Sequence, residues 1–442
     1  FGITNTLKKF YENRLAEFID KESKCVSTLN FKDTFFKCYN NNNAQFLKEF
    51  YQLDCDNLFL KNISLGIIKT SKNNDVCELF NDSLDDNVNH TLYSRIKHEF
   101  SFFQKKIDLN DIANMSWACP GCHYIQIIDS ELYIVPRNAV GRFRNRPRST
   151  KTMLQQVVDI FKSSIGDLEM FIQVQDAVQL RSRDLEKMRH NVPVFGYSKT
   201  HKEGPVGFWG MNPNGIILIP CFTFWIHEGP GLGRWRSLLE TLPKVADKIK
   251  WENRIPKLLF RGARTGDRYW LTGIGERRND SLLDIEFMEW KSGNRSRYYS
   301  DNSKTLEQFC EYKYLLHQEG WSYSNRLKYL MVCGAPVIYA NFFEWEEHWY
   351  QLLKHDYNVL IFKDKYNETL FKNLTRSIVQ DDKKAKLIGQ RSRELVQKYL
   401  SEQAIFCYLR NVLIEYSNLF SYKPVKHPTA VKIDDYILST DD

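Results

Sequence analysis

The spacing of apolar positions along the chain changes near residue 110 and divides the sequence into two kinds of region. Before this point, LKKFYENRLAEFI (7–19) and NAQFLKEFYQL (43–53) place apolar residues three and four positions apart, which is typical of amphipathic helices. An asparagine run just before the second segment is typical of a loop. We therefore expect residues 1–110 to form a mostly helical accessory region.

Beyond residue 120, strand patterns alternate with helix patterns. YIQIID (124–129) and LYIVP (132–136) are predicted to pair as a hairpin. Further buried strands are predicted at LEMFIQVQD, VPVFGYSK, GIILIPCFTFW, KLLF, APVIYA and NVLIFK. Because helix patterns separate most of these strands, the fold class is α/β with parallel sheets. Two such sets, divided near residue 250, predict two Rossmann-like domains.

The domain boundaries follow from this alternation. Residues 111–250 are assigned to an N-terminal Rossmann-like domain and residues 251–395 to a C-terminal one, while helices in 396–442 are expected to pack back on the N-terminal half. Ligands in open parallel sheets bind beyond the carboxyl ends of strands. That rule directs attention to Asp176 after LEMFIQVQ and to the turn after KLLF.

Composition narrows the class of partner. The 442 residues are 43% hydrophobic and carry a net charge of +8, which allows an anionic ligand. No long basic block occurs, and the most basic stretch, GRFRNRPR (141–148), is typical of a solvated loop, so no nucleic-acid partner is expected. No apolar run is long enough to span a membrane, and we expect membrane attachment only through a removed or unseen anchor before Phe1.

Sequons and cysteines indicate the lumen of the secretory pathway, with the Golgi preferred over the endoplasmic reticulum. Ten cysteines, an even number, fit a disulfide-bearing protein. CPGC (119–122) could be a redox pair, half of a zinc site or part of structural disulfides; the lack of a second CxxC favours the last. Candidate glycosylation sites are Asn62, Asn81, Asn89, Asn114, Asn279, Asn294, Asn367 and Asn373.

Two stretches have the chemistry of an anion site. FRGARTGDR (260–268) ends a predicted strand with arginines whose planar forks can pair with phosphate, although an exposed basic turn would look the same. In EGWSYSNRLKYL (319–330), Ser322 or Ser324 could cap a helix whose first turn contains Arg326. An arginine there opposes the helix dipole, and an anion at the helix start would remove the conflict.

Two further candidates each have a plain structural alternative. Asp176 ends an apolar strand, where a carboxylate can act as a general base or cap the following helix. CFTFWIHEGPGLGRW (221–235) places aromatic residues beside glycines, which suits stacking on sugar rings or gripping a peptide. The same aromatic residues could form part of the core.

Taken in order, FRGARTG and YKYLLHQEGWSYSNRLKYLMVCGAPVIY resemble glycosyltransferase family 90, the CAP-type domain of fungal capsule-associated proteins and animal protein O-glucosyl- and O-xylosyltransferases. The resemblance runs from about residue 120 to 422 and includes YIQIID, VPVFGYSKT, FTFW and GLGRW. It implies a GT-B fold, with two Rossmann-like domains facing a cleft. It also implies inverting transfer from a UDP-sugar, with no cofactor or metal required.

The resemblance also implies roles for individual residues, with Asp176 as the general base. The implied UDP-sugar-binding residues are Arg261, Gly262, Ala263, Arg264, Thr265, Ser322, Tyr323, Ser324, Asn325 and Arg326. The implied acceptor-binding residues are Phe222, Thr223, Phe224 and Trp225. Arg268 lies outside the shared motif and is expected at the surface. A disulfide is implied between Cys310 and Cys333, and Cys407 is expected to pair with Cys119 or Cys122.

Two departures from the family pattern bear on function. The family often has an arginine before the aspartate and Tyr-Pro after it, where this chain has Gln175, Ala177 and Val178. WIHEGPG also differs from the Trp-Glu-Gly-Gly of a member that recognises folded protein modules. The expected function is transfer of xylose or glucose to a hydroxyl of a glycan or protein, with xylosyl transfer to a glycan preferred. The alternative is a catalytically weak glycan- or peptide-binding pseudoenzyme.

Overall fold

The computed structural model describes residues 75–81, 91–137, 145–178, 192–200, 213–228, 230, 232–276, 280–288 and 302–433. The predicted helices in residues 7–19 and 43–53, and the sequons at Asn62, Asn89, Asn279 and Asn294, lie outside these residues. Cys77–Ile433 form one compact unit that contains two large sheets. No helix in the described part of the chain combines the length and hydrophobicity needed to cross a membrane.

The first sheet has six strands in the order β13-β2-β1-β3-β4-β5. These are β1 (His123–Ile128), β2 (Glu131–Val135), β3 (Leu168–Ile172), β4 (Val194–Gly196), β5 (Ile216–Leu218) and β13 (Val431–Lys432). The predicted β1–β2 hairpin is confirmed, with Asp129 and Ser130 in the left-handed conformation at its turn. β1 runs antiparallel to β2 and β3, whereas β3, β4 and β5 are parallel. The expected parallel sheet is therefore mixed here, because a two-residue turn leaves no crossover helix between β1 and β2.

The second sheet is parallel throughout, as predicted, in the order β12-β11-β10-β8-β9. Its strands are β8 (Ile255–Ala263), β9 (Leu283–Met288), β10 (Tyr312–Gln318), β11 (Val337–Ala340) and β12 (Leu360–Phe362). Apolar side chains such as Leu258, Phe260 and Leu316 form its buried core. β6 (Ile226–His227) and β7 (Leu232–Arg234) form a separate antiparallel pair.

Helices cover the two sheets. They are α1 (Ser94–Phe100), α2 (Leu109–Ala118), α3 (Asn145–Phe161), α4 (Trp235–Asp247), α5 (Trp270–Glu276), α6 (Leu306–Phe309), α7 (Arg326–Val332), α8 (Glu368–Gln380), α9 (Asp382–Tyr399) and α10 (Glu402–Ser417). The C-terminal helix α10 packs on α3 and α1, and the Tyr416 hydroxyl donates to the Glu169 carbonyl of β3 at 2.7 Å. Helix α10 thus packs against elements of the first sheet.

Three disulfides cross-link the described residues. Cys310–Cys333 forms as the resemblance implied. The predicted partner of Cys407 was wrong, because Cys407 on α10 is bonded to Cys77. Cys119 and Cys122 are bonded to each other, since the tight turn that follows α2 brings their Cα atoms to 5.3 Å.

Of the candidate glycosylation sites, four lie in the described residues. Asn114, Asn367 and Asn373 are exposed on helices or at a helix start, while Asn81 is partly buried. The Asn367 side chain accepts a hydrogen bond from the Leu370 amide at 3.0 Å and so caps α8. Glycosylation at these positions stays a prediction.

A buried ionic network joins α1 to both sheets. The Glu99 carboxylate lies 2.7 Å from Lys199 Nζ and 3.3 Å from the Arg95 guanidinium, and it accepts the Leu218 amide at 2.9 Å. Arg95 also pairs with Glu346, beyond β11, at 2.8 Å. Because Leu218 ends β5 and Lys199 follows β4 of the first sheet, while Glu346 follows β11 of the second, this network holds the two sheets together.

We expect Glu99→Gln to lower the free energy of unfolding by about 3 kcal/mol at pH 7, because it leaves buried cations without their carboxylate. Chemical denaturation measures the change. Asp247→Asn is the matched control, since Asp247 is 63% exposed in its pair with Arg393 and should cost less than about 1 kcal/mol. Equal losses in both variants would contradict a central role for the network.

Candidate active site

Asp176 lies four residues beyond the end of β3, where the two sheets meet. Its backbone carbonyl accepts hydrogen bonds from the hydroxyl of Ser198, which follows β4, and from that of Ser322, which follows β10, at 3.3 Å in the latter case. The Asp176 side chain remains 46% exposed. The carboxyl ends of strands from both sheets therefore border one site, with an accessible carboxylate in it.

Arg146, near the start of α3, is the direct partner of that carboxylate. Its guanidinium lies 2.8 Å from Asp176 Oδ1, donates to the Val174 carbonyl at 3.4 Å and sits 5.0 Å from the centre of the Phe222 ring. The interpretation of GRFRNRPR (141–148) as a solvated loop is wrong for Arg146, because the helix begins at Asn145. An arginine in the first turn of a helix, the signal used for Arg326, also occurs here.

The donor-side motif begins inside a strand. β8 continues to Ala263, so Arg261, Gly262 and Ala263 are strand residues and not a turn. The buried Arg261 guanidinium pairs with Asp284 Oδ1 at 2.6 Å and donates to the Asn302 carbonyl at 3.0 Å. These contacts tie β8 to β9 and direct the side chain into the fold, so its implied role toward a diphosphate has no geometric support here.

The turn that follows β8 packs against the loop after β10. Arg264 is exposed and its guanidinium lies 4.9 Å from the Phe287 ring centre, while Thr265 is partly buried. Gly266 has φ +57°, and a Cβ there would lie 1.9 Å from the Gly320 carbonyl oxygen. Only glycine allows this approach of the two loops.

Arg268 is buried, so the prediction of a surface position was wrong. Its guanidinium donates to the carbonyls of Glu319 at 2.9 Å, Gln318 at 3.0 Å and Ala263 at 3.1 Å. Burial, followed by the charge of Arg326, lowers the pKa of Arg268 to about 9. The short helical turn Gly266–Tyr269 changes the direction of the chain. The Arg268 side chain therefore hydrogen-bonds the turn after β8 to the end of β10.

Arg326 is the first residue of α7, as predicted. Its guanidinium donates to the Arg261 carbonyl and lies 5.6 Å from the Phe260 ring centre, and burial lowers its pKa to about 10. Gly262 permits this approach, since a Cβ there would lie 2.9 Å from Arg326 Nη2. The helix start therefore presents a cation beside the turn after β8.

The predicted serine cap of α7 was wrong. The N-cap residue is Asn325, and its side chain does not bond the helix start. The Ser322 hydroxyl instead donates to the backbone carbonyl of Asp176, and the Ser324 carbonyl accepts a hydrogen bond from the Leu327 amide at 3.5 Å. Tyr323 is buried between them.

The four implied acceptor residues follow β5 and are all buried. Phe224 packs edge-to-face on Trp235, and Trp225 lies under the Arg234 guanidinium at 3.7 Å, so both belong to the core. Thr223 Oγ1 lies 3.4 Å from Asn325 Oδ1. Phe222 lies beneath the guanidinium of Arg146, the partner of Asp176.

Among the described residues, no three His, Cys, Asp or Glu side chains lie together as metal ligands would. The metal independence implied by the resemblance stays a prediction.

The Ser322 hydrogen bond thus joins the segment that contains the exposed Asp176 carboxylate to the loop that leads into the cationic start of α7. Residues 88–441 match the family model described as Glycosyl transferase family 90. The chain belongs to this family and is a glycosyltransferase.

Several animal O-glucosyltransferases are similar in sequence to this chain. The chain is 29% identical to Protein O-glucosyltransferase 1 of Bos taurus over 315 residues, covering 68% of this chain and 73% of the relative. It is 28% identical to Protein O-glucosyltransferase 1 of Homo sapiens over 334 residues, 73% and 78% of the two chains. With the O-glucosyltransferase rumi homolog of Aedes aegypti it shares 30% identity over 279 residues, 61% and 66% of the two chains.

We expect Arg326→Ala to weaken UDP binding at least tenfold, because it removes the partly buried cation at the start of α7. Isothermal calorimetry with UDP measures the affinity. Arg376→Ala is the control, since Arg376 lies on the exposed face of α8 and should leave UDP affinity within twofold. Unchanged affinity in Arg326→Ala would exclude its phosphate role.

Proposed function

We propose that this enzyme transfers glucose from UDP-glucose to a hydroxyl group of a protein acceptor, with inversion at the anomeric carbon. The observation that carries the proposal is the meeting of Asp176 with the donor-side loop, through the 3.3 Å bond from Ser322. This hydrogen bond supports a single site that contains both the proposed general base, Asp176, and the cation at Arg326. The two sheets would then be the two domains of a GT-B fold, with this site between them.

The proposed reaction is a single in-line displacement. The Asp176 carboxylate takes the proton of the acceptor hydroxyl as that oxygen forms a bond to C1 of the sugar. The bond from C1 to the diphosphate oxygen breaks, and UDP leaves with both electrons of that bond. A positioned base typically contributes about 10²- to 10⁴-fold to such a rate.

The leaving diphosphate gains negative charge, which the donor side can stabilise. Arg326 is already held by its hydrogen bond to the Arg261 carbonyl of β8, so it needs little reorganisation when that charge develops. Arg264 is exposed at the same turn and can reach an anion above it. Arg261 holds β8 against β9 and acts here only through the strand.

Arg146 also bears on the pseudoenzyme alternative. That alternative was supported by the residues around Asp176, where glutamine stands in place of the family arginine. Arg146 supplies a guanidinium to Asp176 from α3, at 2.8 Å. Helix α3 thus supplies a cation beside the proposed base, although the residue before Asp176 does not. This supports an active enzyme.

The names of the relatives favour glucose as the donor sugar and a protein as the acceptor, and they replace the initial preference for xylosyl transfer to a glycan. Three disulfides and exposed sequons support a location in the secretory pathway lumen. The preference for the Golgi rests on the sequence alone.

A donor panel tests the proposal. UDP-glucose, UDP-xylose, UDP-galactose and UDP-N-acetylglucosamine are assayed for UDP release, with disulfide-bonded protein modules and polysaccharides as acceptors. We expect UDP-glucose to give the highest rate and the label to appear on a protein. Preference for UDP-xylose, or label only on polysaccharide, would contradict the proposed substrates, and a chain inert with every donor would support the pseudoenzyme.

A further inference from the structure

A buried lysine lies on α7, two residues after Arg326, and has no part in the reaction proposed above. Lys328, on α7, is fully buried in the described structure. Its ammonium lies 4.4 Å from the ring centres of Phe224 and Tyr329 and 5.5 Å from that of Trp235. Aromatic faces attract a cation, but they do not replace the hydrogen bonds that it loses on leaving water.

Stability alone does not explain this charge. Apart from Tyr329, the other buried residues of α7, such as Leu327, Leu330 and Met331, are apolar. An apolar side chain of similar volume at a buried ionic position is often as stable or more stable. Burial raises the pKa of Glu347, the buried acid that interacts electrostatically with Lys328, and it lowers the pKa of Lys328, so burial disfavours the charged form of both groups. The lysine therefore has a role other than packing.

The hydrogen bonds of Lys328 indicate that role. Nζ donates to Thr223 Oγ1 at 2.5 Å, in the segment that follows β5, and to the Asn325 carbonyl at 3.4 Å, at the N-cap of its own helix. Asn325 Oδ1 lies 3.4 Å from Thr223 Oγ1 and 3.1 Å from Cys221 Sγ. One ammonium thus joins the segment 221–225 of the first sheet to the helix start of the second.

This link adjoins residues that the proposed function assigns to the acceptor and donor sides of the site. Phe222, next to Thr223, lies under the arginine that pairs with Asp176, while Arg326 directly follows Asn325. We infer that Lys328 is a positioning residue that fixes the acceptor-side segment 221–225 relative to the donor-binding start of α7. The inference rests on the proposed function, since it assigns the two sides of the link to acceptor and donor.

The link makes a specific kinetic prediction. Transfer to a protein hydroxyl requires segment 221–225 and the donor-binding start of α7 to be correctly positioned relative to each other. Hydrolysis of UDP-glucose uses water as the acceptor, and water needs no such positioning. We expect Lys328→Met to lower transfer at least tenfold more than it lowers hydrolysis, so the ratio of the two rates falls at least tenfold. A general loss of folded protein would lower both rates together and leave the ratio unchanged.

Thr223 provides an independent variant in case Lys328→Met folds poorly. Thr223→Val keeps the shape but removes the hydroxyl, and it should reduce the same ratio. Thr223→Ser keeps the hydroxyl and should recover most of that loss. Because the two groups act as one unit, the double variant Lys328→Met/Thr223→Val should be within about twofold of the worse single variant.

The matched control is Lys313→Met. Lys313 is also a lysine beside an aromatic ring, 5.3 Å from the Trp251 centre, and it pairs with Asp382 at 3.1 Å. It lies at the beginning of β10, at the opposite end of the strand from the site. The ratio should not change in this variant.

Both rates are measured with UDP-glucose, by UDP release without acceptor and by label on the protein module that the wild-type chain modifies in the donor panel. An unchanged ratio in folded Lys328→Met, or in Thr223→Val, would overturn the inference while the proposed function stands. A wild-type chain that neither hydrolyses nor transfers would overturn the proposed function and the inference with it.

Discussion

The site depends on the buried ionic network around Glu99, because Asp176 and α7 belong to different sheets. Glu99 is held by Lys199 and the Leu218 amide on one side and, through Arg95, by Glu346 on the other. Charges removed from water are costly to leave unpaired, so the network strongly disfavours separation of the two sheets. The 3.3 Å bond between Ser322 and Asp176 is possible only in that arrangement.

Within this frame, cations take two different roles that the sequence does not separate. Arg261 and Arg268 are fully engaged with carbonyls or a carboxylate and shape the turn after β8. Arg326 and Arg146 stand at helix starts beside the site. Glycines decide where backbone and guanidinium can approach, as Gly266 does against Gly320 and Gly262 does against Arg326. Most arginines of the motif thus have a structural role, and fewer of them are available to bind a diphosphate.

The sequence predicted the parallel second sheet, the β1–β2 hairpin, the Cys310–Cys333 bond and Arg326 in the first turn of a helix, because these follow from local patterns or from motif order. It failed where the answer depends on distant contacts. The bond between Cys77 and Cys407 joins residues 330 positions apart, and no spacing rule identifies such a pair.

The arginines show the same limit. The side chain of Arg268 is buried only because the chain turns back at Gly266–Tyr269, and Arg146 meets Asp176 only when α3 packs against β2 and the turn Phe222–Phe224. Charge patterns in the sequence identify an arginine-rich motif, but the backbone path decides which guanidinium faces the ligand. The burial of Phe224 and Trp225 is a further case, since aromatic residues beside glycines fit both a core and a sugar platform.

The central claim is that Asp176 is the general base and that UDP binding on the donor side of the site does not depend on its carboxylate. The most direct measurement is the rate of transfer from UDP-glucose by Asp176→Asn, together with UDP affinity by calorimetry. Asparagine keeps the shape of the side chain but cannot accept the proton. We predict that transfer falls at least a hundredfold while the Kd for UDP stays within twofold. Transfer above a tenth of the wild-type rate would contradict the assignment of Asp176 as the base.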